Sequence, residues 1–500
     1  MLAVAAASAR EFTVEALTAP TNNARRPVVG ETGLIAWQMF TAAEPEVSLF
    51  YRLDTVRGVR GQQRSSIMVW RDGEARDITA SDAAIVYAEQ PRVYRDSVIF
   101  TAHFREGSGG GYPFSLATPP KTPEMRQREM EYPDLFDPPW AEQKVEDNAE
   151  YAVQKSARAQ QWNTRSWQTG DWPQSQAATN AEAESPPPET ASKPGNLQYQ
   201  LWRHSGTFGD IVVYQGDGNM HRITPGGRHV SMPVLSEAGL AFQHARGWPY
   251  GYEIIAWKPG ITNLIQLTTN YFYALNADMH GNELVFQCWD GMDYEIYRYH
   301  FDTEQMEQIT NNQFDDTDPV VSNGRIAWIA HPAVNAEIFL HSEGTIRKIS
   351  EGTQDNGAPA IWKDRVVWHG YDDTDLEIYY FDGRRTIKLT SNTCDDMNPN
   401  IADGIITWMS YVDNWDAEIM ALDLGDNTPV QITDNEFEDS FPNTSAEIIV
   451  WQTLTDTGSI IQKATPATPR ANPMPGFSHP VRRHAPRASR PPPFQAGRGG

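Results

Sequence analysis

The stretch "GYDDTDLE" sets Asp372, Asp373, Asp375 and Glu377 within a few residues of one another. Closely spaced carboxylates are the hard oxygen donors that calcium takes, so Asp372, Asp373 and Asp375 form a candidate metal site; calcium is its ion, and no other cofactor is expected. A helix-loop-helix calcium loop would need Gly at its sixth position and Glu at its twelfth, and this stretch supplies neither. It therefore reads equally as a turn between two strands, since Asp and Asn side chains bond nearby backbone groups and dominate turns.

A second set of residues offers different chemistry. His103, His244, His331 and His369 each follow shortly after a buried-type aromatic residue. Converging imidazoles could hold a divalent ion or act as a general base, which would suit a uronate polysaccharide lyase or a glycoside hydrolase. Phe40, His103, Trp289, His331, Tyr371 and Tyr411 recur at one position, three residues after such an anchor. Aromatic faces beside acids suit sugar rings or cations, and the same large residues also suit packing between repeats. Against an enzyme stand the missing signatures: no G-x-S-x-G elbow, H-E-x-x-H, P-loop or dinucleotide fingerprint occurs.

What positions these residues is a repeat. "RVVW" before the acidic stretch and "EIYYF" after it are rich in β-branched and aromatic residues and read as strands. The anchors Phe242, Phe286, Trp328, Trp368, Trp408 and Trp451 are separated by 44, 42, 40, 40 and 43 residues. A period near 40 with four short strands per unit implies an all-β propeller. Strand a of one unit reads "DPVVS", strand b "RIAWIA", strand c "AEIFLH" and strand d "TIRKIS". Trp37 and Phe100 are weaker anchors upstream and raise the count to about eight blades, or seven if the first two irregular units merge. Thr13 to Thr18 would supply the outer strand that the last unit lacks, closing the ring between the chain ends.

These units resemble the WD40-like repeats of TolB-type β-propellers. The resemblance rests on Glu295-Ile296-Tyr297 and Glu377-Ile378-Tyr379, on Glu253, Glu337 and Glu418 each before Ile, and on Leu267-Thr268, Ile309-Thr310, Leu389-Thr390 and Ile432-Thr433. It implies a propeller over residues 10–463 and admits several functions. Because the Glu recurs in five units, a structural role is expected for it.

The remaining segments bound the setting. Residues 1–9 end in Ala7-Ser8-Ala9 and read as the remnant of a signal peptide, so the protein is expected to be periplasmic or secreted. Residues 119–196 are rich in Pro, Ala, Glu and Ser and are expected to be a disordered insertion within the second blade; residues 464–500 are expected to be a disordered Pro/Arg-rich tail. The net charge is −24, more negative still once the six arginines after Lys463 are set aside, which argues against nucleic acid as a partner. No stretch is apolar enough to span a bilayer. Together the residues point to a monomeric, non-catalytic propeller that binds a protein or glycan through an acidic, aromatic-lined face. A lyase or hydrolase on that same face and a Tol-type envelope scaffold are the alternatives.

Overall fold

The structure is a computed structural model that describes residues 11–19, 22–40, 64–105, 207–216, 218–224, 230–245, 252–260, 264–268, 273–351, 354–412, 416–425 and 428–467. The expected signal-peptide remnant, the expected insertion at 119–196 and the chain beyond Ala467 lie outside these residues.

Every regular element among the described residues is a strand. The strands fall into four-stranded antiparallel units, lettered a to d in chain order except that strand d of the last is Phe12–Ala16, and their first strands are Asn23–Val29, Ile85–Tyr94, Val230–Leu235, Ala274–His280, Asp316–Ser322, Gln354–Trp362, Asp396–Ala402 and Glu438–Ser445. We number these units 1 to 8. First strands contact one another in that order, and the first strand of unit 8 contacts that of unit 1. A single parallel bridge, Asn23 opposite Ser459, joins the sheets of units 8 and 1.

Alternation and burial explain the sequence of each unit. Strand b is enclosed on both faces by neighbouring sheets and is apolar almost throughout, as in Arg325–Ala330. Strand d lies at the outer edge; Thr345–Lys348 is exposed along its whole length and carries Arg and Lys. The eight anchors Trp37, Phe100, Phe242, Phe286, Trp328, Trp368, Trp408 and Trp451 sit at the same place on strand b and are at most 1% exposed. Strand a carries a bulge in every unit. Its left-handed residue is Arg26, Gln90, Met232, Asn276, Asp318, Ala358, Asn398 or Phe441, none of them glycine. Side chains of the preceding unit hold several bulge amides, Gln287 Oε1 accepting from Asp318 N at 2.8 Å and His369 Nδ1 from Asn398 N at 3.4 Å.

Unit 8 takes its fourth strand from the start of the chain. Phe12–Ala16 pairs antiparallel with Gly458–Pro466, from Phe12 opposite Pro466 to Ala16 opposite Gln462. Leu17 N donates to Ile461 O at 2.8 Å, and Thr18 Oγ1 accepts from Ile461 N at 2.9 Å. The last strand thus continues past Lys463 to Pro466, and Ala464 is fully buried, which moves the start of the expected tail downstream.

Candidate functional site

The repeated Glu opens strand c, where alternation turns it inward and strands b and d cover it. Glu253, Glu295, Glu377 and Glu418 are all at most 2% exposed. Glu295, Glu377 and Glu418 each belong to a relay that crosses to the next unit. In unit 4, Thr310 Oγ1 accepts from Ile296 N at 2.7 Å, and Glu295 Oε1 accepts from Asn312 N at 2.6 Å. Asn312 Nδ2 donates to Asp316 Oδ2 at 2.5 Å, and Asp316 Oδ1 accepts the Trp328 indole N–H at 2.7 Å. Units 6 and 7 repeat it through Asn392, Asp396 and Trp408, and through Asn435, Asp439 and Trp451. In unit 5, Asn356 replaces the Asp and accepts from Trp368 at 2.9 Å. The repeated Glu and the Asp that opens the next unit therefore tie one sheet to its neighbour, satisfying buried indole and amide donors.

The acidic face expected from the sequence is in large part an acidic interior. Asp290, Asp293, Asp316, Asp375, Asp396, Asp416 and Asp439 are all buried. Asp373, Asp395 and Asp434 remain exposed. Burial pushes the Glu295 carboxyl up to about 7 and that of Asp316 up to about 6, and it raises Asp396, Glu418 and Asp439 as well. Unfolding returns these groups to the ordinary carboxylate range, so between about pH 5 and pH 7 the folded chain holds protons that the unfolded chain releases. Their contribution to stability is full below that range and is lost as pH rises through 6 to 7. A tenfold difference in proton affinity is worth about 1.4 kcal/mol. The melting temperature in a chelating buffer should accordingly fall between about pH 5.5 and pH 8; a flat or rising profile would show these groups ionised at no cost.

The six aromatic and imidazole candidates do not form one ring of free side chains. Phe40 and His103 are brought together through Tyr87, whose ring lies 6.2 Å from Phe40 and 5.6 Å from His103, both edge-on. His103 Nε2 lies 3.2 Å from Glu89 Oε1. Trp289 packs edge-on against Tyr294 at 5.4 Å. His331 is half-buried, its pKa lowered by that burial, and its amide donates to Asp315 O. Tyr411 donates to Glu438 Oε1 of unit 8 at 3.2 Å. Tyr371 alone of the six counts among the exposed large hydrophobic residues. Sequence reasoning missed other exposed apolar residues: Met292, Val334 and Val412 are exposed on the b–c loops of units 4, 5 and 7, and Tyr273 is exposed just before unit 4. For the three loop residues, a large apolar residue directly before a turn-forming Asp or Asn (Asp293, Asn335, Asp413) was the available signal.

The metal candidates divide in the same way. Ligand oxygens of Asp372, Asp375 and Glu377 lie within 4.8 Å of one another, and Asp373 stands outside that group. Asp373 occupies the left-handed position of the turn, at φ 80°, and is exposed. Lys388 Nζ sits on the cluster, 2.6 Å from Asp372 Oδ2 and 3.1 Å from Glu377 Oε1, and holds the Asp372 carboxyl below its usual range. Among the described residues, neither of the two groups with metal-ligand geometry includes a histidine.

Successive four-stranded antiparallel sheets, whose first strands contact one another in order around to the first, decide the architecture. The fold is a β-propeller. Its strand content and repeated sheets fit the TolB-like kind that the repeats resemble. No protein-family profile and no curated relative matches the chain. Among solved structures it is similar to the β-propeller domain of the Trilobed protease from Pyrococcus furiosus, at 15% identity and a TM-score of 0.42, over 53% of this chain and 92% of that one. It is similar to TolB from Acinetobacter baumannii at 11% identity and a TM-score of 0.33, over 52% of this chain and 76% of that one. A third likeness is to the oligogalacturonate lyase of Vibrio parahaemolyticus, at 10% identity and a TM-score of 0.38, over 51% and 83% of the two chains. No helix among the described residues of the propeller is long and apolar enough to cross a membrane.

Proposed function

We propose that this propeller is a non-catalytic, exported binding module that takes a protein partner on the face formed by its b–c loops and the loops between blades. One observation carries the reading. Met292, Val334, Tyr371 and Val412, between 36% and 86% exposed, stand at the same end of strand b or in the loop after it in blades 4, 5, 6 and 7. Exposed apolar residues repeated at neighbouring sites, rimmed by the polar residues Asp373, Asp395 and Asp434, have the make-up of an interface with another protein. Export rests on the Ala7-Ser8-Ala9 pattern.

The test is capture by the full-length protein from a cell-envelope extract, compared with a Met292→Glu, Val334→Glu, Val412→Glu variant of unchanged melting temperature. A protein held by the wild type should be lost at least about tenfold from the variant, since charge on three central apolar contacts removes roughly 1.4 kcal/mol or more. A glycan array with and without calcium and a polyuronate cleavage assay form the other arms. Glycan binding that survives the three substitutions would transfer the face to a carbohydrate. Unsaturated product released from polyuronate, and abolished by His331→Ala, would make the protein a lyase and overturn the reading.

A further inference from the structure

The acidic turn of blade 6 recurs in blade 4 with the same spacing: Asp372, Asp375 and Glu377 correspond to Asp290, Asp293 and Glu295. The two turns also share their local bonding. Asp290 Oδ1 accepts from Met292 N at 2.8 Å and Asp293 N at 3.3 Å, as Asp372 Oδ1 accepts from Thr374 N at 3.0 Å and Asp375 N at 3.3 Å. In both, one oxygen from each of the three carboxylates lies within 4.8 Å of the others. Oxygens bound to one calcium at 2.3–2.6 Å lie at most about 5 Å apart, so this convergence matches a shared ion.

The clusters differ at one position of the fold. On strand d, the residue opposite the second position after the acid carries a cation in three blades. Lys388, opposite Tyr379, binds Glu377 and Asp372; Lys348, opposite Phe339, lies 3.0 Å from Glu337; Arg222, opposite Val212, donates to Asp210 at 2.9 Å. In blade 4 this position is Gln308, opposite Tyr297, and it is uncharged. Both polar atoms of the Gln308 amide are buried without a hydrogen-bond partner, as is Oε2 of Glu295, a residue with no exposed surface. Asp290 and Asp293 are 8% and 3% exposed. We propose that Asp290, Asp293 and Glu295 of blade 4 form a calcium site, in which the ion takes the place that the Lys388 ammonium takes in blade 6.

The donors define the ion. Carboxylate and amide oxygens are hard ligands, which excludes a preference for the thiolate- and imidazole-seeking metals. Magnesium keeps several of its waters and demands a small octahedral cage, whereas calcium sheds water readily and accepts six to eight oxygens in irregular geometry, as a buried turn offers. The neighbouring charges that act most on Glu295 are Asp316 and Asp293, both negative, so a bound cation relieves repulsion that the blade otherwise bears. Gln308 occupies on strand d the register position that Lys388 occupies in blade 6, and it brings an amide oxygen there in place of an ammonium.

The test is the melting temperature of the full-length protein in calcium chloride at about 1 mM, in magnesium chloride at the same concentration, and in excess EGTA. Calcium should raise the wild-type value by about 3 °C or more over EGTA, with little response to magnesium. Asp293→Asn should abolish the response. Gln308→Lys should raise the value in EGTA toward that of the calcium-loaded wild type and leave it insensitive to calcium, while Asp372→Asn, in the cluster that Lys388 already occupies, should keep the full response. Should Asp293→Asn fold poorly, Gln308→Lys and calcium titration calorimetry on the wild type decide the matter. A wild type indifferent to calcium, an equal response to magnesium, or a full calcium response in Gln308→Lys overturns the site.

Discussion

Removal of residues 1–18 is expected to destabilise the propeller more than any single substitution. The deletion strips the Phe12–Ala16 strand from Gly458–Pro466 and leaves Ile461 N without the Thr18 hydroxyl. It also withdraws Phe12 from a core that contains Ile449, Trp451 and Ala464, and Leu17 from one that contains Trp37, Val450 and Ile461. Two partly buried large side chains and the strand ladder together are worth on the order of 5 kcal/mol. The exposed edge would in addition offer unpaired N–H and C=O groups to other molecules. Calorimetry should record a fall in melting temperature of ten degrees or so, and light scattering should record aggregation. A synthetic peptide of residues 11–19 added to the truncated protein should restore part of the loss. A truncated protein that melts like the intact one would show that blade 8 holds together on three strands.

The second large effect is expected at Trp408. Its indole is 1% exposed, and its N–H donates at 3.2 Å to Asp396, a carboxylate equally buried. Trp408→Ala should cost about 3–5 kcal/mol through the cavity alone, and Asp396 loses a donor besides. Trp408→Phe separates the two causes. It keeps most of the volume and should cost about 1–3 kcal/mol for the buried oxygen left short of a donor. The protein itself suggests the remedy. Residues twelve before the tryptophan anchors of blades 5 to 8 are Asp316, Asn356, Asp396 and Asp439, whereas the phenylalanine anchors Phe100, Phe242 and Phe286 have Ala88, Val230 and Ala274 there. The double variant Trp408→Phe, Asp396→Ala rebuilds the blade 4 pair in blade 7. Denaturant unfolding should find it more stable than the sum of its single changes predicts, by at least about 0.5 kcal/mol. Strict additivity would mean that Asp396 acts on Asn392 alone.

That pairing was present in the sequence and shows where reading along the chain succeeds. Spacing of the anchors exposed the repeat because each blade buries one large ring on strand b, and repetition of Glu before Ile marked it as structural, as the relay from Glu295 to Trp328 shows. Asp316 was harder to place. An Asp in a turn and an Asp beneath the next blade look alike until the neighbour is known, and Asp293 and Asp439 are buried rather than part of an acidic face. The same holds for Phe40, His103 and Tyr411, whose position after the anchor suggests a shared face for ligand contacts: Tyr87 packs against Phe40 of the preceding blade and His103 of its own, and Glu438 of the next blade accepts from Tyr411. Glu377 joins the acidic cluster of blade 6 and Asp373 does not, because the turn rotates Asp373 outward. Trp37 departs from the pattern. Its indole N–H is buried without a partner, and Ala24 stands opposite Met39 where the later tryptophan blades place an acid or amide.

The pairing of Phe12–Ala16 with Gly458–Pro466 also sets an order of events during synthesis. Thr18 and Ile461, which it brings together, are 443 residues apart. A ribosome adding about 5–20 residues per second needs on the order of tens of seconds to cover that distance. Throughout that time the first strand is an unsatisfied edge, while blades 1 to 7 can fold behind it from local contacts. The final fastening is therefore the step with the longest loop to close and the slowest to arrive, and it is the one at which a chaperone, or a second nascent chain offering the same strand, would compete.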